Sequence, residues 1–96
     1  MTQSWILIAN PVAGGGRARA VAEQATLALQ TAGQAVELRY THEKGHGTKL
    51  ARQAVREHTD RLIVCGGDGT IGEVLPALAG SQTALGLLPF GTANDL

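Results

Sequence analysis

The sequence has little of what marks several protein classes. It contains one cysteine, one tryptophan, one tyrosine and one phenylalanine in 96 residues. A single cysteine excludes an internal disulfide and fits a reducing cytosol. Eight basic and eight acidic residues give no net charge, so the basic face of a nucleic-acid-binding protein is missing. We therefore expect no nucleic-acid partner.

Long hydrophobic runs are missing too. No apolar stretch of the sequence approaches the roughly 20 residues needed to cross a bilayer. Residues 1–5 carry no basic region ahead of an apolar stretch, so no secretory signal is predicted. The chain has 96 residues, and a domain typically has about 100–150. We expect one soluble, cytoplasmic domain over residues 1–96.

Short apolar runs alternate with helical patterns along the chain. The runs predict strands at Trp5–Ala9, Ala35–Tyr40, Leu62–Cys65 and Ala84–Leu88. The patterns between them predict helices at Arg17–Ala32, Thr48–His58 and Thr70–Leu78, with a further helix starting in Thr92–Leu96. This alternation predicts an α/β fold, a parallel sheet with helices on both faces. With Ala35–Tyr40 as an edge strand, we expect a sheet that is incomplete at the C-terminus and ends on an uncovered edge.

Glycine is abundant and clustered. The chain has 13 glycines, where an average usage of ~7% would give about seven. One cluster, Gly66-Gly67-Asp68-Gly69-Thr70, runs from a predicted strand directly into a predicted helix, at the edge where parallel sheets bind ligands. Glycines let backbone amides face a ligand, and a helix N-terminus favours negative charge. The cluster predicts a phosphate site; the alternative is a tight turn that needs glycine only for its dihedral angles.

Polar residues in and after this cluster have two interpretations each. Asp68 would repel a phosphate unless Mg²⁺ bridged the two or a substrate hydroxyl donated to it; alternatively it bonds its own backbone in a turn. Thr70 and Glu73 either contact a ligand or form a capping box that closes the helix start. Thr92 and Asp95 repeat that spacing.

Other candidate sites are weaker. Arg17 follows the glycines at 14–16 and could supply charge to a phosphate, but neither a P-loop nor a dinucleotide fingerprint is present. The three histidines lack metal-ligand spacing with the cysteine, so a zinc site is not predicted. Cys65 is expected to be a small core residue rather than a nucleophile.

The segment Gly66–Thr70 with Glu73 resembles the hallmark of the diacylglycerol kinase catalytic domain family. That family includes sphingosine kinases, ceramide kinases and bacterial diacylglycerol kinase-like lipid kinases. Further segments agree in order and spacing: Asn10-Pro11, Thr41 with Gly45-His46, and Pro89–Asp95. The central pentapeptide is shared with NAD kinases, whereas the segment Pro-x-Gly-Thr-x-Asn-Asp singles out the lipid kinases.

The resemblance implies ATP-dependent phosphorylation of a diacylglycerol-like lipid hydroxyl. It implies a phosphofructokinase-like nucleotide domain in residues 1–96, without the β-rich C-terminal domain that carries the lipid site and the general base. Asp68 and Asp95 would be catalytic, in the Mg²⁺ network at the transferring phosphate, with Asp68 as the metal contact. The residues matching the family's ATP contacts are Asn10, Thr41, Gly66, Gly67, Asp68, Gly69, Thr70, Glu73, Thr92 and Asn94.

Two departures from the family pattern affect the adenine side or the helix geometry. Gly72 stands where the family commonly has Asn, and Pro76-Ala77 where it has Asn-Gly; the proline is expected to kink its helix. A nucleotide-binding or regulatory module without catalysis, an NAD kinase relative and a purely structural fragment therefore remain alternatives. We expect no turnover from these 96 residues alone. The implied partners are ATP, a lipid, transiently the inner membrane face, and a second copy paired at the sheet edge.

Overall fold

The computed structural model describes residues 3–88, in which strands and helices alternate as the sequence predicts. The elements are β1 (Ser4–Ala9), α1 (Arg17–Thr31), β2 (Ala35–Tyr40), α2 (His46–Arg56), β3 (Arg61–Cys65), α3 (Asp68–Leu78) and β4 (Ala84–Leu87), with a short 3-10 turn at Ala13–Gly16. The predicted helix start at Thr92–Leu96 lies outside the described residues. No helix within residues 3–88 combines the length and hydrophobicity that crossing a bilayer requires.

The strands form one parallel sheet in the order β2-β1-β3-β4. In register, Ile6 of β1 lies between Glu37 of β2 and Leu62 of β3. The two central strands are the most apolar and the most buried, whereas β2 alternates between exposed and half-buried side chains. The predicted parallel sheet is confirmed, and β2 is an edge strand as expected.

Successive side chains of the central strands point to opposite faces of the sheet, and each face packs on helices. On one face, Ile6, Ile8, Leu62 and Val64 pack with Leu50, Ala51 and Ala54 of α2 and Val74 of α3. On the other, Leu7, Ala9 and Cys65 pack with Ala18 and Ala22 of α1. Full burial of one leucine or isoleucine contributes about 1.5–3 kcal/mol. These two layers confirm helices on both faces and Cys65 as a core residue.

Two helices begin earlier than the sequence predicts. The helix α2 begins at His46 rather than Thr48, directly after Gly45 in the left-handed region at φ 83°. It ends at Arg56, and His58 leaves the helical path at φ 57°. The helix α3 begins at Asp68 rather than Thr70 and continues through Pro76 to Leu78. The proline therefore lies in the last turn, where its missing amide removes a single helical hydrogen bond.

Candidate functional site

A cleft of about 440 Å³ opens where β1, β2 and β3 end. The residues that line it are Asn10, Pro11, Val12, Thr41, His42, Glu43, Lys44, Gly69, Thr70 and Glu73. Five of these were predicted as site residues from three separate segments of the sequence. The carboxyl ends of parallel strands meet at one edge of the sheet, so the fold brings these segments together. Thr92, Asn94 and Asp95 lie outside the described residues.

The strand ends fix the two side walls of the cleft. The Asn10 amide donates to the Cys65 carbonyl (3.2 Å), and the Asn10 side-chain Oδ1 accepts from the Val12 amide (3.3 Å). On the opposite wall the Thr41 amide donates to the Ala9 carbonyl (2.8 Å), and Thr41 is buried. The backbone at Asn10 and at Thr41 is thus tied to the central strands, which makes both positions rigid parts of the cleft.

The glycines after β3 are present for two different reasons. A Cβ on Gly66 would lie 2.8 Å from Thr70 Oγ1 and 2.9 Å from Thr70 Cβ, so close packing excludes a side chain there. A Cβ on Gly67 or Gly69 would meet nothing within 4 Å. None of these three glycines has a positive φ, so the alternative of a turn that needs glycine for its dihedral angles is wrong. At Gly67 and Gly69, the lack of side chains leaves open space above the backbone.

The first turn of α3 faces this space with free amides. Its N-cap is Gly67, which has no side chain to cap the helix. The amides of Asp68, Gly69 and Thr70 have no intrahelical acceptor because of their position in the first turn. The helix dipole adds partial positive charge there. Unpaired amides beside open space at a helix N-terminus are the arrangement that binds phosphate in many proteins.

The side chain of Asp68 is exposed at the start of α3. Its carboxylate takes part in none of the side-chain hydrogen bonds between residues 3 and 88, so the alternative of a turn aspartate bonded to its own backbone is wrong. Within the same range no group of three or more His, Cys, Asp or Glu side chains could hold a metal ion. A single free carboxylate suits Mg²⁺ bound mainly by water and phosphate oxygens. Asp68 as a metal contact fits this geometry and stays a prediction.

Glu73 does not form the capping box that its spacing suggested. Its carboxylate reaches across to the start of α2, where Oε2 accepts from the Gly45 amide (2.8 Å) and Oε1 from the Gly47 amide (3.0 Å). The Thr48 hydroxyl donates to the Glu73 carbonyl (2.8 Å). Since α3 begins at Asp68, Thr70 lies inside the first turn and is not its cap. The capping-box alternative is therefore wrong for this helix.

The sequence analysis missed three residues that line the cleft, namely His42, Glu43 and Lys44. They follow β2 directly, so their position at the carboxyl end of a predicted strand was the available signal. The His42 amide donates to His46 Nδ1 (3.0 Å), and the two imidazole rings are stacked with centroids 5.4 Å apart. This wall of the cleft carries both an acid and a base.

Arg17 and the glycines before it are not among the residues that line the cleft. Gly14, Gly15 and Gly16 have φ values of 63°, 68° and 95°, so the backbone conformation itself calls for glycine. The Arg17 Nε donates to the Gly14 carbonyl (2.9 Å). The structure therefore gives this segment a local role and does not join Arg17 to the predicted phosphate site.

The buried cysteine has no sign of reactivity. Burial raises the pKa of the Cys65 thiol, and its Sγ lies 3.6 Å from the Ala18 carbonyl oxygen. A thiol with a raised pKa carries little thiolate and is a poor nucleophile. Chemistry at this edge of the sheet would therefore depend on the cleft and its backbone amides.

Comparisons with known proteins agree with this geometry. A protein of Cronobacter sakazakii named "Probable lipid kinase YegS-like" is 46% identical over 71 residues, which is 70% of this chain and 24% of that protein. A diacylglycerol kinase of Staphylococcus aureus is 35% identical over 91 residues, which is 93% of this chain and 29% of that one. The crystal structure of a diacylglycerol kinase from Bacillus anthracis str. Sterne superposes with a TM-score of 0.76 at 31% identity, covering 97% of this chain and 35% of that one.

The chain thus spans about a quarter to a third of the length of these relatives. The family known as the diacylglycerol kinase catalytic domain matches residues 4–96. This match favours the lipid-kinase prediction over the alternative of an NAD kinase relative. It covers the glycines after β3 and both walls of the cleft. The chain belongs to the diacylglycerol kinase catalytic domain family.

Proposed function

We propose that this chain supplies the ATP-binding half of a lipid kinase, which transfers the terminal phosphoryl group of ATP to the hydroxyl of a diacylglycerol-like lipid. The observation that carries the proposal is the open backbone at Gly67 and Gly69 beside the free amides of α3. Such a surface suits a chain of phosphates better than it suits an apolar ligand. Family membership supplies the lipid acceptor.

In this proposal each part of the cleft has one task. The amides of Asp68, Gly69 and Thr70 bind phosphate oxygens, and the absent side chains at Gly66 and Gly67 let the phosphates approach. Asn10 and Thr41 contact the nucleotide from the two walls. Positioning and electrostatic stabilisation account for most of the rate in phosphoryl transfer, so rigid donors are what the reaction needs.

Asp68 has the catalytic role of holding Mg²⁺ at the transferring phosphate, and Asp95 joins it there by resemblance to the family. Mg²⁺ bound to Asp68 would bridge phosphate oxygens and offset their negative charge. This also removes the repulsion that the carboxylate alone would exert on a phosphate. Thr92 and Asn94 complete the proposed nucleotide contacts, again by resemblance.

The rest of the proposal concerns a longer protein, because the chain spans only part of the relatives it matches. A β-rich second domain would supply the lipid pocket and the general base, so we propose that residues 1–96 alone do not turn over. A cytoplasmic enzyme acting on a lipid must contact the inner membrane face transiently. The exposed edges of the four-stranded sheet offer a surface for pairing with a second copy.

The proposal is tested by calorimetric titration of the chain with Mg-ATP. We expect saturable binding that falls at least about tenfold in Asp68→Asn, equivalent to roughly 1.4 kcal/mol. The matched control is Glu57→Gln, which removes a carboxylate directly after α2, at the other end of the sheet, and should leave the affinity unchanged. Absence of binding, or equal loss in both variants, would contradict the assignment.

A binding module that has lost catalysis is the second candidate, and the structure offers it no support. Gly72 and Pro76, the two departures from the family pattern, are both exposed and are not among the residues that line the cleft. A Cβ on Gly72 would meet nothing within 4 Å. The two departures therefore leave the proposed phosphate contacts intact.

A further inference from the structure

We infer that Glu73 is a positioning residue: its carboxylate holds the β2–α2 loop (Thr41–Gly45) in the shape that receives the nucleotide, instead of contacting the nucleotide itself. The inference rests on the proposed function for the identity of the ligand. It differs from the role that family resemblance implies for Glu73, which is direct contact with ATP. The contacts of the carboxylate are what distinguish the two roles.

Both carboxylate oxygens are already engaged by backbone amides. Oε2 accepts from Gly45 at 2.8 Å and Oε1 from Gly47 at 3.0 Å. Hydrogen bonds to an ionised acceptor are about twice as strong as neutral ones. The carboxylate also lies at the N-terminus of α2, where the helix dipole favours negative charge. Its local partners therefore account for its charge without a ligand.

The electrostatics of the cleft also argue against direct contact with the phosphates. Glu73 lines the same cleft as Gly69 and Thr70, whose amides are the proposed phosphate donors. A free carboxylate there would repel the triphosphate, and the repulsion grows as water is excluded. A carboxylate turned toward the Gly45 and Gly47 amides instead uses its charge inside the protein. Fixed donors and acceptors around a site reduce the cost of ordering it when the ligand binds.

The loop has few other restraints. Its central residues His42, Glu43 and Lys44 are exposed and form one wall of the cleft. The loop enters through Thr41, which is tied to β1, and leaves through Gly45 in the left-handed region at φ 83°. Gly45 and the buried Gly47 both point their amides at one carboxylate, so removing it frees the whole C-terminal side of the loop.

Packing around Gly47 makes this contact specific. A Cβ on Gly47 would lie 2.7 Å from Glu73 Oε1 and 3.3 Å from Glu73 Cβ. Only glycine at this position lets the carboxylate come within hydrogen-bond distance of the amide. The Thr48 hydroxyl, which donates to the Glu73 carbonyl at 2.8 Å, fixes α2 against α3 at the same point. The glycine at 47 and the glutamate at 73 are therefore matched to each other.

The test compares three variants of the full chain by amide hydrogen exchange and by Mg-ATP titration. In Glu73→Gln, one side-chain oxygen is replaced by an NH₂ group that cannot accept, so we expect exchange at Gly45 or Gly47 to rise about tenfold, the effect of losing one net hydrogen bond. In Glu43→Gln, an equal charge is removed from the same loop without touching either amide, and their exchange should not change. Unchanged exchange in Glu73→Gln would overturn the inference whether or not ATP binds.

A third variant, Thr48→Val, separates positioning from simple destabilisation. It removes the hydroxyl bond between α2 and α3 and should lower the melting temperature to a similar degree, while leaving the Gly45 and Gly47 amides paired. We expect Glu73→Gln to weaken Mg-ATP binding at least about fivefold and Thr48→Val to leave it unchanged. Equal affinities in all variants would overturn the positioning role. No binding by the unmodified chain would refute the proposed function and this role together, and the exchange data would then still decide whether the carboxylate orders the loop.

Discussion

Gly69→Ala should stabilise the fold and weaken nucleotide binding in the same molecule. Gly69 lies in the first turn of α3, it has no positive φ, and a Cβ there would meet nothing within 4 Å. Alanine is favoured over glycine in a helix by about 0.5–1 kcal/mol. With about 4–8 °C per kcal/mol in a domain of this size, the melting temperature should rise by roughly 2–8 °C.

The same methyl group occupies the space proposed for a phosphate. A phosphate oxygen bonded to the Gly69 or Thr70 amide would lie about 2.9 Å from the nitrogen, and the added Cβ of residue 69 lies beside that path. We expect Mg-ATP affinity to fall at least about tenfold, or roughly 1.4 kcal/mol. Thermal unfolding followed by circular dichroism and calorimetric titration of the same sample measure both effects.

Gly72→Ala is the matched control. It makes the same substitution in the same helix, also in open space, at a position that is not among the residues lining the cleft. It should stabilise α3 to a similar degree and leave the affinity unchanged. If Gly69→Ala binds Mg-ATP as tightly as Gly72→Ala does, the phosphates do not lie on the first turn of α3 and the reasoning fails.

Three further predictions concern the fold. Gly66→Ala should destabilise by about 1–3 kcal/mol, because its Cβ would lie 2.9 Å from the Cβ of Thr70; an unchanged denaturation midpoint would contradict the packing described. Arg39, by its hydrogen bond and charge, lowers the pKa of Glu37, so the pair should stabilise the fold above the unfolded glutamate pKa and lose that contribution as pH falls through the lowered value. Since the Glu37 side chain is 63% exposed, the contribution should stay below about 1 kcal/mol, and Glu37→Gln should flatten the acid limb of the stability curve. Cys65 should resist alkylation at neutral pH until the protein unfolds, and rapid labelling of the native chain would show that its burial is wrong.

The strands and the sheet could be predicted because their information is local. Runs such as Leu62–Cys65 are apolar throughout, and only a strand covered on both faces accounts for that. Asn10, Thr41 and Thr70 could be placed in one cleft because each follows a predicted strand, and parallel strands end at a common edge. Gly66–Thr70 also carried its own signal, although the sequence could not distinguish packing at Gly66 from open space at Gly67.

The helix starts and the role of Glu73 could not be predicted for the opposite reason. The capping-box spacing of Thr70 and Glu73 is a local signal, and the observed bonds from the Gly45 and Gly47 amides span 28 and 26 residues. A carboxylate supplied by another helix allows α2 to begin at His46 without a capping side chain of its own. A single sequence contains no trace of such a partner. The sequence likewise offered no reason to exclude Arg17, whose place was decided by the left-handed glycines before it.

The most direct test of the account is a crystal structure of the chain with a magnesium complex of a non-hydrolysable ATP analogue. The account predicts phosphate oxygens within about 3.2 Å of the amides of Asp68, Gly69 and Thr70, with Mg²⁺ beside the Asp68 carboxylate and Glu73 still bonded to Gly45. A nucleotide bound elsewhere, with the first turn of α3 free, would contradict it.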